Sequence, residues 1–253
     1  MLSKPTIVKM FDEQAKAFAE FSQESFQWHH MEKGIYDKYL SDNFLNNSEI
    51  LDIGSGAGRI MKYLNQRGVL EENITGVDVS SEMVKIAKNR LPGATFANQD
   101  IAHLDLSNKN FSLVTSHMVF EFLDNDQLHK TLKQAYDHMA ENGTLMYTTT
   151  HPNKMASGDY ANYKDKQFWI DTSAPWEGGI STFHRPTNDF INATIKAGFH
   201  IDRIIEIGFD LSAKEESALK VAKYLKYGPM RLMVMARKLT KVKKPSARAV
   251  LYT

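Results

Sequence analysis

The ten residues from Ile50 to Arg59, Ile-Leu-Asp-Ile-Gly-Ser-Gly-Ala-Gly-Arg, constrain the fold of this chain more than any other stretch. A short run with two isoleucines and a leucine reads as a strand buried on both faces, the environment of a parallel sheet. Glycines at 54, 56 and 58 follow it, and Ile60-Met61-Lys62-Tyr63-Leu64 then opens a segment of helical apolar spacing. The unit is strand, glycine turn, helix. Glycine has no Cβ to hold a ligand off the backbone, and a helix N-terminus presents unsatisfied N–H groups. Gly54, Ser55, Gly56 and Gly58 are therefore expected to form a cradle for a small polar ligand.

The spacing discriminates between ligands. A dinucleotide fingerprint needs Gly-x-Gly-x-x-Gly or Ala, and the third position counted from Gly54 is Arg59, which argues against a nicotinamide-dependent oxidoreductase. The pattern present, Asp52-x-Gly54-x-Gly56-x-Gly58, resembles motif I of the class I S-adenosylmethionine-dependent methyltransferases. A second apolar run, Ile74 to Val79, carries Asp78 about twenty residues beyond the turn, where a carboxylate can take a ribose hydroxyl. A third run ends at Asp100-Ile101, which is similar to the family's adenine-binding step, an acid for the amino group and an apolar neighbour over the ring. The resemblance implies S-adenosylmethionine as cofactor, with Asp52, Val79, Met83 and Ser116 completing the contacts, Ser116 lying at the strand end that the family places beside the sulfonium.

From Ile50 to Thr150 strands alternate with helices, which argues for an α/β fold, a parallel sheet covered on both faces. Phe111 to Ser116 and Thr144 to Thr150 read as strands four and five around a helix from Asp126 to Met139 and a turn at Glu141-Asn142-Gly143. Ser80 or Ser81 caps the helix that ends at Pro92-Gly93. Phe183-His184-Arg185-Pro186 opens a helix from Thr187 to Ala197 closed by Gly198, and His200 to Ile207 reads as a sixth strand. Ser212 and Glu215 form a capping box for a helix from Ala213 to Tyr227, before a seventh strand from Arg231 to Ala236. The resemblance implies a Rossmann-like doubly wound sheet of seven strands, the last antiparallel and lying between the fifth and sixth. It divides the chain into an N-terminal helical lid (1–45), a core (46–238) with an insertion after strand five (about 153–182), and a basic tail (239–253).

In the N-terminal segment, Phe11, Ala15, Phe18, Ala19 and Phe21 fall at helical spacing and read as packing residues, whereas Trp28 and His29-His30 are candidates to face a substrate. The insertion is polar and aromatic, and Trp169 and Trp176 are its candidate substrate contacts. Proton-accepting candidates belong at the carboxyl ends of the strands, where ligands sit in such sheets. His117 follows strand four, His151 follows strand five ahead of Pro152, and His184 precedes a helix. Glu121 lies one turn beyond His117. Histidine suits the work because it titrates near neutrality, and His151 is the first choice. The motifs Ser116 to Leu123, Thr150-His151-Pro152 and Phe183 to Gly198 are similar to the family's small-molecule, ubiquinone-biosynthesis-like branch. That implies methyl transfer to an N or O nucleophile of a small molecule. An RNA or protein acceptor, and a cofactor-binding module without turnover, remain alternatives.

Composition narrows the rest. With no cysteine among 253 residues, disulfides, thiolate nucleophiles and zinc-thiolate sites are excluded, and a reducing cytoplasm fits. A net charge of +1 gives no global field to recruit nucleic acid, which leaves only the basic tail, Lys241, Lys243, Lys244 and Arg248 among its residues, as a local attraction. No apolar run approaches membrane-spanning length, no metal is expected, and the sequence leaves the oligomeric state open.

Overall fold

The structure, a computed structural model, describes residues 4–23, 25–106, 110–155, 164, 166–171, 180–208 and 228–240. Trp176, the helix expected from Ala213 to Tyr227 and the tail beyond Thr240 lie outside them.

Ile50–Ile53 (β1) is buried at every position and lies between Ile74–Asp78 (β2) and Phe111–His117 (β4), parallel to both. Thr95–Asn98 (β3) extends the sheet beyond β2, and Met139–Thr150 (β5) extends it beyond β4. Arg231–Arg237 (β9) runs antiparallel between β5 and His200–Ile207 (β8), so the order is β3-β2-β1-β4-β5-β9-β8. This is the expected seven-stranded topology with its inverted last strand. One face of the sheet packs on Arg59–Gln66 (α5) and Ser81–Arg90 (α6), and the other on Asn125–Asp137 (α7) and Thr187–Lys196 (α9, after the short α8, Pro152–Met155). The capping serine of α6 is Ser80, whose side chain accepts from the Met83 N–H. Asp124 and Gln127 form a reciprocal capping box on α7.

Two local expectations are corrected. Met139 to Gly143 was expected to finish a helix and turn, yet β5 begins at Met139, because Met139 pairs with Phe111 ahead of a register shift. The insertion is not all loop: Gln167–Asp171 (β6) pairs antiparallel with Ile180–His184 (β7), so Phe183 and His184 end a strand rather than open a helix. The ring edges of Phe168 and Phe183, directly opposite in this ribbon, meet at 4.9 Å between centroids.

Lys4–Glu13 (α1) and Ala15–Gln23 (α2) come next to α6 through Ala15 and Ala19, which pack on Ala57 and Met83. A π-helical turn, Trp28–Glu32, leads into Lys33–Tyr39 (α3) and drops Trp28 into the core between Tyr36 and Tyr63. Among the described residues no helix is long and apolar enough to cross a membrane.

Candidate active site

Parallel strands end on one edge, so the residues that close β1, β2, β3, β4 and β5 converge there. A cavity of about 460 Å³ opens at this edge beneath the N-terminal helices. Gly54 and Gly56 line it with positive φ of 72° and 52°. A Cβ on Gly54 would lie 2.3 Å from Val119, whereas one on Gly56 would project into space whose nearest atom belongs to Phe18, 3.9 Å away. The room above Gly56 is what a ligand riding on the turn requires.

Asp78 reaches back to this turn. One of its carboxylate oxygens accepts from the Gly56 N–H at 2.7 Å and the other from the Ser80 N–H at 2.9 Å. It lines the cavity with Val79, Met83, Asp100 and Ile101. Burial raises the Asp78 carboxyl, opposed by the two N–H donors. Asp100 accepts from the Ala102 N–H at 3.1 Å, which fixes it at the exit of β3.

Four other expected cofactor residues are not among those lining the cavity. Asp52 is 1% exposed and faces its cross-strand partner Thr115, whose hydroxyl donates to it at 2.7 Å. Burial pushes its carboxyl up to about 7 against that hydrogen bond, with Asp78 adding to the rise. Ser55 is buried in the turn, Gly58 is buried where α5 crosses Ala87, and the Ser116 hydroxyl donates to the Ile53 carbonyl at 2.9 Å. These positions are built into the framework of the cradle.

The roles of the aromatic residues are exchanged relative to expectation. Phe11, Phe18 and Phe21, read as packing residues, line the cavity. Trp28, read as a substrate contact, is 5% exposed beneath the Arg59 guanidinium, 4.8 Å from its ring centroid. His29 points outward to the Gln23 carbonyl at 2.9 Å. Trp169 pairs through its backbone with Thr182 in the β6-β7 ribbon. Spacing alone places both sets on a helix face; only the docking of that face decides which looks inward.

No histidine is among the described residues that line the cavity. His151 is turned away, its Nε2 3.1 Å from the Glu206 carboxylate and its Nδ1 accepting from the Asn153 N–H. His184 is wholly buried at the end of β7. His117 is enclosed as well: its Nδ1 lies 2.5 Å from the Thr148 hydroxyl and 3.2 Å from that of Tyr36, and its Nε2 is 3.0 Å from Glu32. Burial lowers its pKa.

A charged cluster beside His117 has no local signature in the sequence. Glu32, 2% exposed at its side chain, receives the Arg231 Nε at 2.6 Å and lies 4.0 Å from Arg59 as well as beside His117. Burial alone would raise the Glu32 carboxyl, but Arg231, His117 and Arg59 outweigh it and hold it below the usual carboxylate range. Glu32 and Arg231 are 199 positions apart, so no local pattern could have paired them. Met118, at the end of β4, takes φ 58°, a left-handed conformation costly for a side chain of its kind, and also lines the cavity. Among the described residues, the candidate Glu121 is brought to this wall.

Residues 50–143 match the family described as "Methyltransferase domain". That stretch of the chain carries a methyltransferase domain. A putative S-adenosylmethionine-dependent methyltransferase from Listeria monocytogenes shares its fold, with a TM-score of 0.66 at 21% identity over 82% of this chain and 96% of that one. In sequence the chain is 33% identical over 115 residues to the phosphoethanolamine N-methyltransferase of Plasmodium falciparum, covering 44% of this chain and 42% of that protein. It is 28% identical to the malonyl-[acyl-carrier protein] O-methyltransferase of Priestia megaterium, covering 72% of this chain and 65% of that protein. It spans less than two thirds of the length of both relatives. S-adenosylmethionine is the cofactor that such a domain implies. The open space above Gly56, the carboxylate at Asp78 and the acid-apolar pair at Asp100 and Ile101 fit that molecule's aminoacyl, ribose and adenine parts in turn.

Proposed function

We propose that the protein methylates a nitrogen or oxygen nucleophile of a small molecule that binds with the cofactor under α1 and α2. The observation that carries this reading is the roof of the cavity. Ile7, Val8, Phe11 and Phe18 from the two N-terminal helices face Val119 and Phe122 beyond β4, so an acceptor has to fit beneath apolar side chains to reach the cradle. The volume lies within the roughly 300–1,000 Å³ typical of small-molecule clefts. This apolar roof favours a small acceptor over a nucleic-acid strand or protein loop. The two relatives, one named for an N-methyl and one for an O-methyl transfer, support either nucleophile.

In this reading Asp78 holds the ribose hydroxyls, Asp100 and Ile101 the adenine, and the Gly54 to Gly56 turn the aminoacyl end. The cofactor supplies a methyl group already activated by its sulfonium. The chain contributes alignment, for which orientation is worth about 7–11 kcal/mol in well-placed systems. Phe11, Phe18 and Met83 exclude water. With His117, His151 and His184 engaged elsewhere, their sequence-based role as proton acceptors passes to a carboxylate of the cavity wall.

The test uses the full-length protein with methyl-labelled S-adenosylmethionine against the dialysable, RNA and protein fractions of a cell extract. Label in dialysable product is the expected result. Label retained in RNA or protein would overturn the small-molecule reading.

A further inference from the structure

Glu121 is the unused acid of this cavity. It sits on a 3-10 turn, Phe120–Phe122, that the buried Arg185 clamps from below by donating to the Phe120 and Leu123 carbonyls and the Asn125 side chain. The Glu121 side chain is held in turn, with Thr149 donating to one carboxylate oxygen at 3.0 Å and Thr150 to the other at 3.3 Å. It is 2% exposed and lines the cavity together with Thr150.

Every other charge that lines the cavity is engaged. Glu32, Arg59 and Arg231 satisfy one another. Asp78 and Asp100 hold backbone N–H groups at the nucleoside end, and Asp124 caps α7 by accepting from the Gln127 N–H. Lys154 also lines the cavity and has a partner of its own. No lysine, arginine or histidine among the described residues lies within ion-pair distance of Glu121, whose donors are the two hydroxyls and its own backbone N–H, with Arg231 and Arg185 acting only at longer range. Burial raises its carboxyl, opposed in part by its own backbone N–H, by Arg231 and by the two threonine hydroxyls.

A buried carboxylate with no cation at ion-pair distance favours a ligand that brings one. We propose that the acceptor is an amine, held through its nitrogen by Glu121, with an apolar body against Phe11, Phe122, Ile180 and Met230 of the same wall. The inference rests on the small-molecule reading above and narrows it from nitrogen or oxygen to nitrogen. The amine enters as an ammonium and passes a proton to the Glu121 carboxylate. Its freed lone pair forms a bond to the methyl carbon as the carbon–sulfur bond breaks and leaves its electron pair on sulfur. The products are the methylated ammonium and S-adenosylhomocysteine, and Glu121 returns its proton to solvent when the product leaves. A carboxylate acceptor would meet like charge at this wall. An alcohol would gain a hydrogen bond but would leave the charge uncompensated.

The experiment is calorimetric binding to the full-length protein loaded with S-adenosylhomocysteine, using the matched probes 2-phenylethylamine, 2-phenylethanol and phenylacetate. The amine is expected to bind about 10- to 150-fold more tightly than the alcohol, the range of a hydrogen bond to a charged group, and the acid not to bind. Glu121→Gln, which keeps the shape and one acceptor for the threonines, is expected to erase the preference while S-adenosylhomocysteine affinity stays unchanged. The wild-type comparison stands even if the variant folds poorly. An alcohol or acid binding as tightly as the amine, absence of amine binding, or an amine preference that survives in Glu121→Gln overturns the proposal. Loss of S-adenosylhomocysteine binding by the wild-type protein would instead overturn the methyltransferase site itself.

Discussion

Replacing Glu32 by Gln removes the one negative charge on which Arg231, Arg59 and His117 converge. The Arg231 Nε stands 2.6 Å from the carboxylate, and the two side chains are only 11% and 2% exposed, so little water can take over. Breaking a buried pair from one side costs about 3–5 kcal/mol, because the remaining guanidinium stays desolvated without its partner. A domain of this size commonly has about 5–15 kcal/mol of stability, and 1 kcal/mol shifts its Tm by about 2–4 °C. Glu32→Gln is therefore expected to lower Tm by about 6–20 °C in scanning calorimetry. The deficit should narrow on acidification. The folded carboxyl lies below its unfolded value, so its contribution is complete above about pH 4.3 and is lost in the wild-type protein as pH falls below that. The double variant Glu32→Met with Arg231→Met should recover much of the loss, because an apolar pair carries no desolvation debt. A Glu32→Gln cost under about 1 kcal/mol, the worth of a solvated surface pair, would refute the reasoning.

Three further outcomes follow from the cradle. Asp78→Ala should weaken S-adenosylmethionine binding by about 10- to 150-fold in calorimetry, since it removes the support of the Gly56 N–H and, in the proposed reading, the ribose acceptor. Gly54→Ala should lower Tm more than Gly56→Ala, because its Cβ meets Val119 at 2.3 Å, whereas Gly56→Ala should chiefly reduce cofactor affinity; the reverse ranking would misplace the ligand. Asp52→Asn should raise Tm at pH 8 and change it little at pH 4. The folded Asp52 carboxyl titrates near 7, so its contribution is intact below about pH 3.9 and is lost as pH rises through 7, a loss the amide escapes. An equal Tm difference at both pH values would show that Asp52 is not desolvated.

The sequence by itself determined the sheet and its cradle. Apolar runs of strand length, glycines at 54, 56 and 58 and an acid about twenty residues on are short-range patterns, and each acts through the backbone within one strand-turn-helix unit. Asp78, Asp100 and Ile101 were legible for the same reason: residues at the ends of parallel strands share an edge whatever the side chains do. Pleat and docking lay outside that reach. Asp52 closes β1 as Asp78 closes β2, yet register sets Asp52 against Thr115 and leaves Asp78 at the turn. The helical period put Phe18 and Trp28 on faces but not the same way up, and packing on Met83 and Tyr63 turned the first toward the cavity and the second into the core. Glu206 draws His151 away from the strand ends, and Glu32 finds Arg231 across 199 positions. Such pairings depend on distances between separate elements, which exist only once the chain has folded.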